Sequence, residues 1–148
     1  MSAELVTALF VAALLLSVGT RLWLASRQIR HVAAHRGTVP AAFAGHVPLA
    51  AHQKAADYTL DKLRFGIATL LVGSVVLVGW TLLGGLDLLH TAVRSVVPAG
   101  WGEIAAQLVL LAAFTLVGSL IELPSEWYAT FRLEQRHGFN RMSPGLWL

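Results

Sequence analysis

From Leu5 to Leu24 the chain is apolar at nearly every position, with Thr7, Ser17, Thr20 and Arg21 as the exceptions. At ~1.5 Å of rise per residue, a helix over this run reaches ~30 Å, the depth of a bilayer's hydrocarbon core. Two further runs have span length, Phe65 to Leu83 and Ile104 to Ile121. The first of them carries Gly66, Gly73, Ser74 and Gly79, small residues that let neighbouring helices approach. The second is interrupted by Gln107, Thr115 and Ser119. Between them Gly84-Gly85 breaks the pattern, and Leu86 to Val97 resumes it on a helical period. Leu86, Leu89, Val93 and Val97 share one face, with Asp87, Thr91 and Arg94 opposite. That segment is too short to span and predicts an interfacial helix, with Trp101 suited to a headgroup-level anchor. The pattern predicts an all-α, polytopic membrane protein with about three transmembrane helices, over about 5–24, 65–83 and 104–121.

The helices are expected to outrun the bilayer. Gly37 makes a helix stop, with His35 and Arg36 in the last turn, where the helix dipole favours positive charge. Gly37 to Val47, with Pro40 and Gly45, reads as a connection, and Pro48 suits a first helical turn. Leu49 to Arg64 then continues into the second span. A long helical hairpin over 25–64 follows. After the third span, Pro124 lacks an N–H and clashes with the preceding turn, so it is expected to end or kink the helix. Ser125 would cap a new one, carrying Trp127 and Phe131 on one face and closed by Arg136, His137 and Gly138. The expectation is a short connector helix, 125–137, set at an angle to the span. Ser143-Pro144 starts another element, and Gly145 to Leu148 opens a new apolar run. The 148 residues are therefore expected to form a single membrane module, the N-terminal part of a longer chain.

Composition supports the membrane class. Hydrophobic residues make up 56% and charged residues 13%, about half the ~25% of soluble domains. There is no cysteine, which excludes disulfides and thiolate metal sites. The net charge of +3 is explained by position rather than by nucleic-acid binding. The segment from Arg21, at the end of the first span, to Arg64 holds Arg21, Arg27, Arg30, Arg36, Lys54, Lys62 and Arg64, and Arg132, Arg136 and Arg141 follow the third span. Only Arg94 lies on the other side. The positive-inside rule makes 25–64 and 122–148 cytoplasmic and the N-terminus external. The first span has nothing basic before it and exceeds a usual signal-peptide core, which favours an uncleaved anchor. The expected location is a bacterial inner membrane, with the lipid bilayer as partner and no nucleic acid.

His31 and His35 have the i, i+4 spacing of a zinc pair, but no Glu lies between them as a base and arginines surround them. A solvated helix end is the favoured reading, and His46 and His52 would join only if the loop folded back. The most varied stretch is Glu122 to Arg141. It holds Glu122-Leu-Pro124, Tyr128, Thr130-Phe131, Glu134 and Gly138-Phe139-Asn140-Arg141. With His52-Gln53-Lys54, Asp57-Tyr58, Lys62 and Trp80 to Leu86, it resembles the N-terminal membrane region of the type I CAAX prenyl proteases, from about Arg27 to the last residue. That resemblance implies an integral-membrane zinc metallopeptidase whose helices enclose a water-filled chamber. Such enzymes place two His and a catalytic Glu in H-E-x-x-H on one helix face. No His-Glu dipeptide occurs in this chain.

The expectation is a module that anchors the enzyme and contributes chamber wall, with no catalytic and no metal-ligating residue of its own. Zinc is expected in the full-length enzyme, together with a C-terminal catalytic part and a peptide or protein substrate. Glu122, Pro124, Tyr128, Phe131, Glu134, Gly138, Phe139, Asn140 and Arg141 are then structural, or support the metal's ligands from behind. Glu122 either pairs with an arginine of the hairpin or faces the chamber. Asn140 and Arg141 either shape a turn or touch the catalytic part. The alternative from another class is a stand-alone, non-catalytic membrane scaffold or regulator. A reading frame that continues into H-E-x-x-H would decide against it.

Overall fold

The computed structural model describes residues 2–138, 140 and 142–147. Among them there is no strand; the chain is a sequence of helices. Helix α1 (Ala3–His35) opens on Ser2, whose Oγ accepts the Leu5 N–H at 3.3 Å. Helix α2 (Leu49–Thr81) begins after Pro48. At ~1.5 Å per residue each is ~50 Å long, well beyond the ~30 Å of a hydrocarbon core. The connection over 36–48 turns the chain back, so α1 and α2 pack as the expected hairpin.

Gly84, at φ +79°, reverses the chain after α2, and α3 (Gly85–Val96) follows. A Cβ on Gly85 would stand 2.8 Å from the Gly79 carbonyl oxygen and 3.0 Å from the Trp80 Cα. Glycine is required there by this close backbone approach. Helix α3 packs on α4 (Gly102–Tyr128) through a short 3₁₀ turn, Ala99–Trp101. A bidentate Arg94–Glu103 pair at 2.8 and 2.5 Å clamps the two helices. Val93 and Ala106 are buried beneath it.

The expected break at Pro124 does not occur. Pro124 lies inside α4, and Ser125 caps nothing. The helix runs on through a π-helical segment, Ala129–Glu134, and a final turn, α5 (Gln135–His137), before Gly138 stops it at φ +75°. The region expected as a separate connector over 125–137 is thus the end of one continuous helix. Pro124 forgoes the hydrogen bond that a backbone N–H there would donate to the Leu120 carbonyl, yet the helix continues past it, and the π-helical segment begins five residues further along. Helix α6 (Pro144–Trp147) lies where a new element was expected.

Among the described residues three helices are long and apolar enough to cross a membrane: Ala3–His35, Leu49–Thr81 and Gly102–His137. Their Leu, Val and Ile side chains are largely exposed, as at Leu16, Val75, Ile104 and Leu116. Among the described residues burial is confined to the α3–α4 junction and to the meeting of the hairpin with the end of the long helix. Val93 and Ala106 mark one end; Ala56, Leu60, Leu133 and His137 mark the other. This is an integral membrane protein closed at both ends and open between them.

Candidate functional site

Two aromatic pairs hold α2 and α4 at a distance. Trp80 meets Phe114 edge-on with ring centroids 5.1 Å apart, and Phe65 stacks on Tyr128 at 5.3 Å. Between these pillars lies a groove of about 570 Å³, walled by Gly73, Val76, Leu77, Gly118 and Ala129 among others, and reached by Glu122, Ser125 and Glu126. Beyond the Phe65–Tyr128 stack a second cleft, of about 960 Å³, opens between α2 and the end of the long helix. It is lined by Phe65, Tyr128 and Phe131 and by Asp61, Arg64, Arg132 and Arg136.

The end of the long helix docks on the hairpin through polar contacts centred on Asp61. His137, 9% exposed, is the buried polar residue among those described. Its Nε2–H donates to Asp61 Oδ2 at 3.0 Å, and its ring meets Tyr58 edge-on with centroids 5.3 Å apart. Arg64 and Arg136 stand at 3.7 and 3.8 Å from the same carboxylate. Lys62 lies over the Tyr58 ring, 5.7 Å from its centroid. One helical turn earlier, Arg36 grips Asp57 through both guanidinium arms, at 2.6 and 2.7 Å. That hydrogen bonding holds the Asp57 carboxyl below its ordinary range; partial desolvation opposes it, and the charges of Arg36 and His137 reinforce it. Arg36 is raised in turn, by the hydrogen bond and the charge of Asp57.

The residues singled out in the sequence fall as follows. Tyr128 and Phe131 line the larger cleft, and Phe131 also lies 6.0 Å from the Trp127 ring. Glu122 borders the groove, and among the described residues the ion pairs of the hairpin's arginines go to Asp57 and Asp61 rather than to it. Pro124 is internal to the helix, and Glu134 is half-buried beside buried Leu133. Gly138 adopts the left-handed conformation and donates its N–H to the Gln135 carbonyl at 3.1 Å. Asn140 Oδ1 accepts the Met142 N–H at 2.7 Å, a turn-forming bond. Phe139 and Arg141 lie outside the described residues. The Asp61–His137 contact was not foreseen. Its only signal was two carboxylates, Asp57 and Asp61, one turn apart in a hairpin otherwise rich in cations.

The hairpin does bring histidines together. His52 Nε2–H donates to the His35 carbonyl at 3.0 Å, while His35 Nδ1–H donates to the His31 carbonyl at 2.8 Å. These bonds direct the rings to backbone oxygens, and among the described residues no three His, Cys, Asp or Glu side chains gather at metal-binding distance.

A family model described as CAAX prenyl protease N-terminal, five membrane helices, matches residues 28–148. The human CAAX prenyl protease 1 homolog is 33% identical over 151 positions, which cover 95% of this chain and 31% of that protein. Its mouse counterpart is 34% identical over 142 positions, 91% of this chain and 30% of that protein. The chain thus spans less than a third of the length of these curated relatives. No solved structure matches.

Proposed function

This chain belongs to the CAAX prenyl protease family, and from that premise we propose that it is the N-terminal membrane module of a zinc metalloendopeptidase. In this reading it anchors the enzyme and supplies part of the wall of an intramembrane chamber. The H-E-x-x-H motif, the zinc and the peptide-cleaving chemistry come from a further catalytic part, and the substrate is a peptide or protein. The N-terminus lies outside, with 25–64 and 122–148 cytoplasmic.

The observation that carries the reading is the groove between α2 and α4. Two span-length helices that formed a finished bundle would pack side by side at the 8–10 Å of ordinary helix pairs. Here aromatic pillars at both ends keep an open channel between them, with Glu122 and Glu126 on its lining. Glu122 stands where the third span meets the cytoplasmic side, and a carboxylate at that boundary is costly unless water or a partner reaches it; a water-filled chamber supplies that water. The test is reconstitution: co-expression with a polypeptide carrying the family's H-E-x-x-H part yields chelator-sensitive proteolysis. A full complement that cleaves equally well without this chain overturns the proposal.

A further inference from the structure

The two open spaces beside α2 differ in charge. The groove carries Glu122 and Glu126. The cleft carries Arg64, Arg132 and Arg136 against the single carboxylate of Asp61, which already accepts from His137. Arg64 and Arg136 approach that carboxylate no closer than 3.7 and 3.8 Å, with 67% and 79% of their side chains exposed. Those separations are too long for hydrogen bonds. The Arg132 side chain makes no hydrogen bond or ion pair with the described residues; its backbone carbonyl accepts the Gln135 N–H. Three guanidinium groups therefore border one cleft with donors to offer.

The cleft also sits at a defined depth. Arg64 is the last residue before the apolar run of α2, and the Phe65–Tyr128 stack fixes the long helix at the same level. Along the cleft the lining passes from arginines through Phe65, Tyr128 and Phe131 toward the apolar wall. This is the order of a leaflet boundary, charge outermost, aromatics at headgroup level and hydrocarbon beneath. A water-soluble anion would meet only the arginines; an amphipathic anion meets both halves.

We propose that this cleft binds an anionic phospholipid. Arg64, Arg132 and Arg136 hold the phosphate, and Phe65, Tyr128 and Phe131 receive the first carbons of the acyl chains. Guanidinium forks match phosphate oxygens in pairs, and basic pockets between membrane helices are suited to lipid headgroups. Arg27 and Arg30 on α1 serve as an internal contrast. Arg27 lies over the Trp23 ring, 4.9 Å from its centroid, and Arg30 reaches Ser26 Oγ at 3.4 Å, and neither lines the cleft. The proposal is independent of the protease reading.

The test uses the purified chain in vesicles of phosphatidylcholine and phosphatidylglycerol in equal parts, with lipid retained after extraction read by native mass spectrometry. Phosphatidylglycerol is expected to be retained preferentially. Arg64→Gln, Arg132→Gln and Arg136→Gln are expected to lower its affinity by about fivefold each, the effect of one basic residue at a membrane surface. Arg132→Gln alone guards against misfolding, since no described partner is lost. The paired variant Arg27→Gln with Arg30→Gln is expected to retain lipid as the unmodified chain does. Inorganic phosphate at matched ionic strength is expected not to displace the lipid. Three results overturn the proposal: no preference for the anionic lipid, equal loss in the α1 variant, or displacement by phosphate alone.

Discussion

Asp61 and His137 are 76 positions apart in the chain, yet their 3.0 Å contact joins the hairpin to the long helix. Removing one partner leaves the other's polar group poorly satisfied in a largely buried place, at a cost of about 1–3 kcal/mol. His137→Ala and Asp61→Asn are each expected to lower thermal stability in detergent by that order. The double variant should cost less than the sum of the two, and additive losses would argue against direct coupling. Asp57 gives a pH dependence. Because Arg36 holds its carboxyl below the ordinary range, its contribution is complete above the unfolded value of about 4. It is lost as the pH falls through the depressed folded value. Thermal unfolding between pH 7 and pH 2 should show this loss for the natural chain and not for Asp57→Asn. Both groups of the Arg36–Asp57 pair are more than 40% exposed, so added salt should shrink the difference.

Helices were legible wherever length and period spoke together. The hairpin, the three spans and the short α3 all follow from runs of apolar residues and their glycine or proline boundaries. Pro124 was not legible, because a proline inside a helix costs one hydrogen bond and a local clash without forbidding the helix, and here the helix continues past it to Tyr128 and on into the π-helical segment Ala129–Glu134. Proline in a helix interior costs ~3 kcal/mol, so Pro124→Ala is expected to raise the thermal midpoint; a lowered midpoint would mean that the present shape of the segment is held by other contacts. Gly85→Ala should do the opposite. Its Cβ would meet backbone at Gly79 and Trp80, and overpacking of this kind costs about 1–3 kcal/mol. Differential scanning fluorimetry on both variants separates the two effects.

Viewed whole, the protein has two packed ends and an open middle. The Arg94–Glu103 clamp closes one end and the Asp61–His137 contact the other, while aromatic pairs prop the groove between. None of this spacing could be read from the chain. Local patterns place a residue on a helix face, but the register of two helices decides which faces meet, and Phe65 found Tyr128 only through that register. The motif from Glu122 to Arg141 was legible as a family mark; its division into groove-facing Glu122 and cleft-facing Tyr128 and Phe131 was not. The basic residues flanking the spans lead to an expected topology, N-terminus out and hairpin in. Reporter fusions at the 36–48 connection should report the cytoplasm, and an external signal would reverse the assignment. The central claim is that this module shapes a chamber whose metal chemistry resides elsewhere in the enzyme. It is tested most directly by a peptidase assay on the purified chain with zinc, with and without the H-E-x-x-H-bearing part. The account predicts no zinc-dependent turnover from the chain alone and chelator-sensitive cleavage once the two are combined; zinc-dependent, chelator-sensitive cleavage by the chain alone would contradict it.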